Sequence, residues 1–172
     1  MKKVFTLMLF LLVCFSMQAQ FIGRGVDPRL TSRQRPTNDK LPEFNVLKAV
    51  GLVTYDYERV IKKSGVKKNS ETAKKVKSII TKFNRDLNGI KRINSFTMNS
   101  MKTTVEATQK KAVNSGDFSK ISQVKKDMDA AFKPIIEAIK KKDEELDASL
   151  EKVLSKKQYK KWIKYKTKKK KK

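Results

Sequence analysis

From Ala73 to Ile90 the apolar residues recur at alternating steps of three and four: Ala73, Val76, Ile80, Phe83, Leu87 and Ile90. An α-helix turns once every 3.6 residues, so this spacing gathers all six on one narrow face. A strand would scatter them over both faces of a sheet. So narrow a stripe cannot close a core alone and calls for another helix laid along it. The chain supplies one. Phe118, Ile121, Val124, Met128, Phe132, Ile135 and Ile139 repeat the pattern, which resumes at Leu146, Leu150 and Val153. Asn114-Ser115-Gly116-Asp117 between the two stripes is a turn signal, with Asp117 placed to cap the second helix. The expected fold is all-α, a long antiparallel helical hairpin, elongated or cradle-like.

The finer reading has four helices, near 42–63, 70–113, 117–153 and 156–167. Pro42 suits the first turn of the first helix, where its missing amide costs nothing. Phe44, Leu47, Val50, Val53, Tyr57, Val60 and Ile61 then follow at helical spacing up to the stop at Gly65, with Gly51 weakening the middle. Asn69 or Ser70 can cap the second helix, and Glu71 complements its dipole. Asn94, Ser95, Thr97 and Asn99 are poor helix formers, so this helix is expected to weaken or bend near Asn94, while Ile93, Phe96, Met101 and Val105 partly continue its stripe. Pro134 removes one amide donor from the third helix and points to a kink.

The ends differ from this middle. Lys2 and Lys3, the apolar run Val4 to Phe15, and Ala19 read as a secretory signal peptide over 1–19, cleaved after Ala19. About twelve apolar residues fall short of the roughly 20 that span a bilayer. The expected localisation is therefore periplasmic or secreted. Cys14, the only cysteine, lies inside that run behind the bulky Val13, where a lipoprotein signal would want a small residue. Residues 20–40, with Gly23, Gly25, Pro28, Pro36 and no hydrophobic period, read as a flexible leader. The helical domain covers 41–167 and a lysine tail 168–172.

The chain carries 42 Lys+Arg against 17 Asp+Glu, a net charge of +25, which becomes +23 once Lys2 and Lys3 leave with the signal peptide. That charge favours anionic partners. Export turns the expectation from nucleic acid toward envelope surfaces and exported polypeptides.

Chemistry is harder to place. Histidine, the usual acid–base group near neutrality, is absent altogether. Without histidine, and with no cysteine beyond residue 19, zinc loses both favoured ligand types. Asp143, Glu144, Glu145 and Asp147 form the densest acidic cluster, but on a helix they point several ways and should pair with Lys140, Lys141 and Lys142. Ser64 with Lys67, and Ser149 with Lys152, formally match Ser-x-x-Lys without the companion motifs of acyl-enzymes. No catalytic residue, metal or cofactor is expected.

The most specific signal is Leu154-Ser155-Lys156-Lys157-Gln158-Tyr159-Lys160-Lys161-Trp162. Its local chemistry is that of a helix-helix corner. Ser155 can cap the helix while Gln158 reaches back to the Ser155 amide, a capping box, and Leu154 can staple against Tyr159. The same residues resemble the Leu-Thr-x-x-Gln motif of the Spy/CpxP family of small exported all-helical proteins, with Tyr159 and Trp162 similar to its aromatic continuation. Serine here replaces threonine. The family's earlier copy of the motif is missing: Val66-Lys67-Lys68-Asn69-Ser70-Glu71-Thr72 caps a helix but has no glutamine in register.

The resemblance spans roughly 41–166. It implies a periplasmic, ATP-independent chaperone with a thin, commonly dimeric cradle whose concave face is basic and apolar. On that reading the partners are unfolded or envelope polypeptides, and a homodimer would complete the cradle. Phe83, Phe96, Met98, Met101, Met128 and Phe132 are then the candidate client surface, mostly core by spacing but with some left exposed in so thin a structure. Methionine suits such promiscuous apolar contact. An alternative is an envelope-surface protein whose lysines bind anionic lipid or polysaccharide.

Overall fold

A computed structural model describes residues 41–170; the expected signal peptide, the leader and the last two lysines lie outside the described residues. Among the described residues all regular structure is α-helical. The elements are α1 (Val46–Ala49), α2 (Tyr57–Ser64), α3 (Glu71–Ile93), α4 (Ser95–Ser115), α5 (Ser119–Val153) and α6 (Lys156–Lys170).

The hairpin is present. α5 has 35 residues, about 52 Å at 1.5 Å per residue, and lies along both α3 and α4. Ser70 caps α3, its Oγ accepting from the Ala73 amide at 3.1 Å. The outgoing arm breaks once, at Asn94, which leaves helical geometry (φ −99°, ψ 12°) and turns its Nδ2 onto the Ile90 carbonyl at 2.8 Å. That side-chain bond competes with the backbone ladder, which is why asparagine marks the interruption. Gly116, at φ 75°, closes α4, and Asp117 Oδ1 accepts from the Ser119 amide at 2.9 Å ahead of α5.

The expected helix over 42–63 is not continuous. Pro42 and Glu43 precede α1 rather than opening it. Gly51 adopts φ 71°, and the amides of Gly51 and Leu52 turn back onto the carbonyls of Lys48 (3.1 Å) and Leu47 (2.9 Å). This is a Schellman stop, which glycine permits at no steric cost. Residues 52–56 then run without helix. Their backbone is satisfied from a distance: Asn84 Oδ1 accepts from the Tyr55 amide at 3.0 Å, and Asn84 Nδ2 donates to the Tyr55 carbonyl at 2.7 Å. Asp56 restarts the helix as the cap of α2, accepting from the Arg59 amide at 2.8 Å.

α2 packs on α3 and α6, while α1 touches α4. One continuous core joins Val60, Val76, Ile80, Leu87, Leu150 and Trp162, each almost fully shielded from solvent. No helix among the described residues is long and apolar enough to cross a membrane.

Candidate functional site

The corner between α5 and α6 holds the motif. The Ser155 amide donates to Gln158 Oε1 at 3.0 Å, and the Gln158 amide donates to Ser155 Oγ at 3.4 Å, so both halves of a capping box form and the glutamine half is the tighter. Gln158 also reaches across the fold. Its Nε2 donates to the Gly65 carbonyl at 3.4 Å, at the end of α2. Leu154 is buried, and Tyr159 is half-buried against the core.

Because Gln158 serves two bonds and Ser155 the longer one, Gln158→Ala should cost about 1 kcal/mol and Ser155→Ala about 0.5 kcal/mol. Ser155→Asp, also a good cap, should cost least. Urea unfolding curves rank the three, and the reverse order for the two alanine variants would remove the link to Gly65.

One turn further on, Trp162 is wholly buried. Its ring meets Tyr55 edge-on at 5.0 Å between centroids, and Nε1 donates to Asp147 Oδ1 at 3.0 Å. Lys166, also buried, pairs with Asp143 at 2.7 Å and with Asp147, while Lys170 pairs with Asp143 at 2.5 Å. The acidic cluster is therefore divided. Glu144 and Glu145 pair along their own helix with Lys140 and Lys142, as the spacing suggests. Asp143 and Asp147 instead turn inward and hold α6. The helix expected over 156–167 continues through Lys168, Lys169 and Lys170, with this ion cluster beneath it.

Burial pushes the Tyr55 hydroxyl well above its ordinary pKa, with Asp143 and Asp147 adding to the effect. It stays protonated in the core. The arrangement is a clamp of rings and ion pairs. Among the described residues no group of three or more acidic, histidine or cysteine side chains could hold a metal.

The chain matches no family model, no curated protein and no solved structure.

The candidate client residues are not brought together. Phe83, Met98 and Phe132 are buried, with Phe83 and Phe132 on the hairpin's facing stripes and Met98 on the inner side of α4. These three belong to the core. Met101 and Met128 are half-buried against that core, and Met128 also lines a shallow groove with Phe44, Val105, Ile121 and Val124. Phe96 alone is strongly exposed, at 83 %, and Ile93 beside it is 79 % exposed. Phe118 and Ile121, at the start of α5, are exposed as well. Ile93, Phe118 and Ile121 lie outside the expected surface because each continues an apolar stripe. Phe118 and Ile121 flank the turn before α5, and Ile93 falls one residue short of position 94, where the stripe's next step from Ile90 would land.

Proposed function

We propose that this chain is an exported, non-enzymatic binding protein that holds unfolded or envelope-associated polypeptides without ATP. The observation that carries the reading is Ile93 and Phe96 standing in solvent at the α3–α4 break, next to Lys91 and Arg92. Single exposed apolar side chains are ordinary on proteins. Here two large ones sit three residues apart with two cations adjoining, on a chain of net charge +25. Charge would draw acidic segments in, and the apolar pair would hold them. Each side chain contributes up to about 2 kcal/mol when covered, which suits weak, reversible capture. The secretory signal read in residues 1–19 and the Spy/CpxP-like motif at Leu154, Ser155 and Gln158 support the same reading.

The test is suppression of light scattering by chemically denatured clients, one acidic and one neutral. The purified protein should protect the acidic client better, and raised salt should narrow the difference. The double variant Ile93→Ser/Phe96→Ser should need roughly tenfold more protein for half-suppression, since about 1.4 kcal/mol is a factor of ten. Its melting temperature should stay within a few degrees of the parent, because neither side chain is in the core. Unchanged suppression by that variant, or none by the parent, would overturn the reading.

A further inference from the structure

The two faces of α6 are treated differently. Lys166 and Lys170 meet Asp143 and Asp147, but Lys168 and Lys169 turn toward α2. There they close a cleft of about 610 Å³ with Arg59, Lys62, Lys63 and Tyr165. At about 30 Å³ per water, this open space has room for several oxyanion groups with their hydration. Five of its six lining residues are cations and none is a carboxylate. Among the described residues, none of the five forms an ion pair.

Lys169 marks the strain. Its ammonium lies 4.9 Å above the Tyr55 ring and donates to the Thr54 carbonyl, both weaker partners than a carboxylate. Burial first, and then the nearby Arg59 charge, lower its pKa. Asp56 offsets this only in part, and its side chain already accepts from the Arg59 amide as the cap of α2. Cations gathered on facing walls repel one another, and an oxyanion between them would relieve that. A singly charged carboxylate would leave most of the five uncompensated, so clustered phosphates fit better. The tyrosine ring and lysine stems give the walls an apolar lining on which such a ligand's carrier can rest.

We propose that the cleft between α2 and α6, framed by Arg59, Lys62, Lys63, Lys168 and Lys169, binds ligands carrying clustered phosphate groups. The site is separate from Ile93 and Phe96, and it stands whether or not the chain holds polypeptides. The phosphates can be free in solution or borne on a lipid headgroup.

Calorimetric titration of the full chain with inorganic tripolyphosphate, beside flotation with phosphatidylcholine vesicles with and without phosphatidic acid, tests this and separates the two sources. Arg59→Gln/Lys63→Gln/Lys168→Gln should weaken binding at least tenfold. Lys111→Gln/Lys126→Gln/Lys133→Gln, which removes equal charge from α4 and α5, should change it less than about twofold in 0.1 M salt, where the screening length is about 10 Å. Cleft-dependent binding of tripolyphosphate supports a soluble source. Cleft-dependent binding of the acidic vesicles alone supports a lipid-borne one. Equal loss in both variants would make the binding diffuse charge attraction and overturn the proposal, as would no saturable binding of either probe.

Discussion

Trp162→Ala should destabilise the protein by about 3–5 kcal/mol, a large share of the stability of an ordinary small domain. The indole is completely buried, and three rings surround or extend its packing: Tyr55 edge-on at 5.0 Å, Tyr165 at 6.1 Å, and Phe83 at 5.8 Å from Tyr55. Alanine would leave a cavity between α6, Tyr55 ahead of α2 and Asp147 of α5. It would also remove the donor to Asp147 Oδ1. Trp162→Phe separates the two losses, since it keeps most of the ring but not the N–H, and should cost about 1–3 kcal/mol. Because Trp162 is the only tryptophan, helical circular dichroism rather than fluorescence should follow urea unfolding. A loss below about 1.5 kcal/mol for the alanine variant would mean that α6 does not dock through this side chain.

Much of this architecture is written locally, and the departures share a physical cause. The stripe from Ala73 to Ile90, the turn at Gly116 and the capping box at Ser155 each depend on residues within a turn or two of one another. Such patterns can be read in a line. The segment before α2 cannot. Phe44 to Ile61 keeps helical spacing throughout, yet Gly51 stops the helix and the extended stretch is held by Asn84, which lies 29 residues beyond Tyr55. No local pattern announces that pairing.

The same holds for the inward turn of Asp143 and Asp147. Their four-residue spacing is mirrored by Lys166 and Lys170, but equally spaced lysines are everywhere in this chain. The burial of Phe83, Met98 and Phe132 has the complementary cause. Spacing assigned them to a stripe, and only the return of α5 decides that the stripe is covered. After Asn94 the buried positions become Met98, Val105 and Ala112, seven apart, one residue out of step with the stripe before it. Ile93 and Phe96 fall one residue short of positions 94 and 97, where the earlier stripe would continue, and the later register at Met98 lies further still, so both stand outside either one.

Replacing the buried cation tests the other half of the clamp. Lys166→Met keeps most of the apolar stem and should cost about 3 kcal/mol, because it leaves Asp143 and Asp147 facing one another on one side of α5 with their central counter-charge gone. Lys170 still reaches Asp143, but its side chain is 41 % exposed against 9 % for Lys166 and is better screened by water. The penalty belongs to the stranded carboxylates more than to the lost attraction. Adding Asp143→Asn and Asp147→Asn to Lys166→Met should therefore recover a substantial part of the loss. Neutral amides no longer demand a cation, and the amide oxygen gained at position 147 can still accept from Trp162. The two carboxylates without the lysine are the costly combination. Urea unfolding of the single, double and triple variants gives the coupling directly. Additive losses across the set would show that Lys166 contributes packing alone and that α6 is held by its rings.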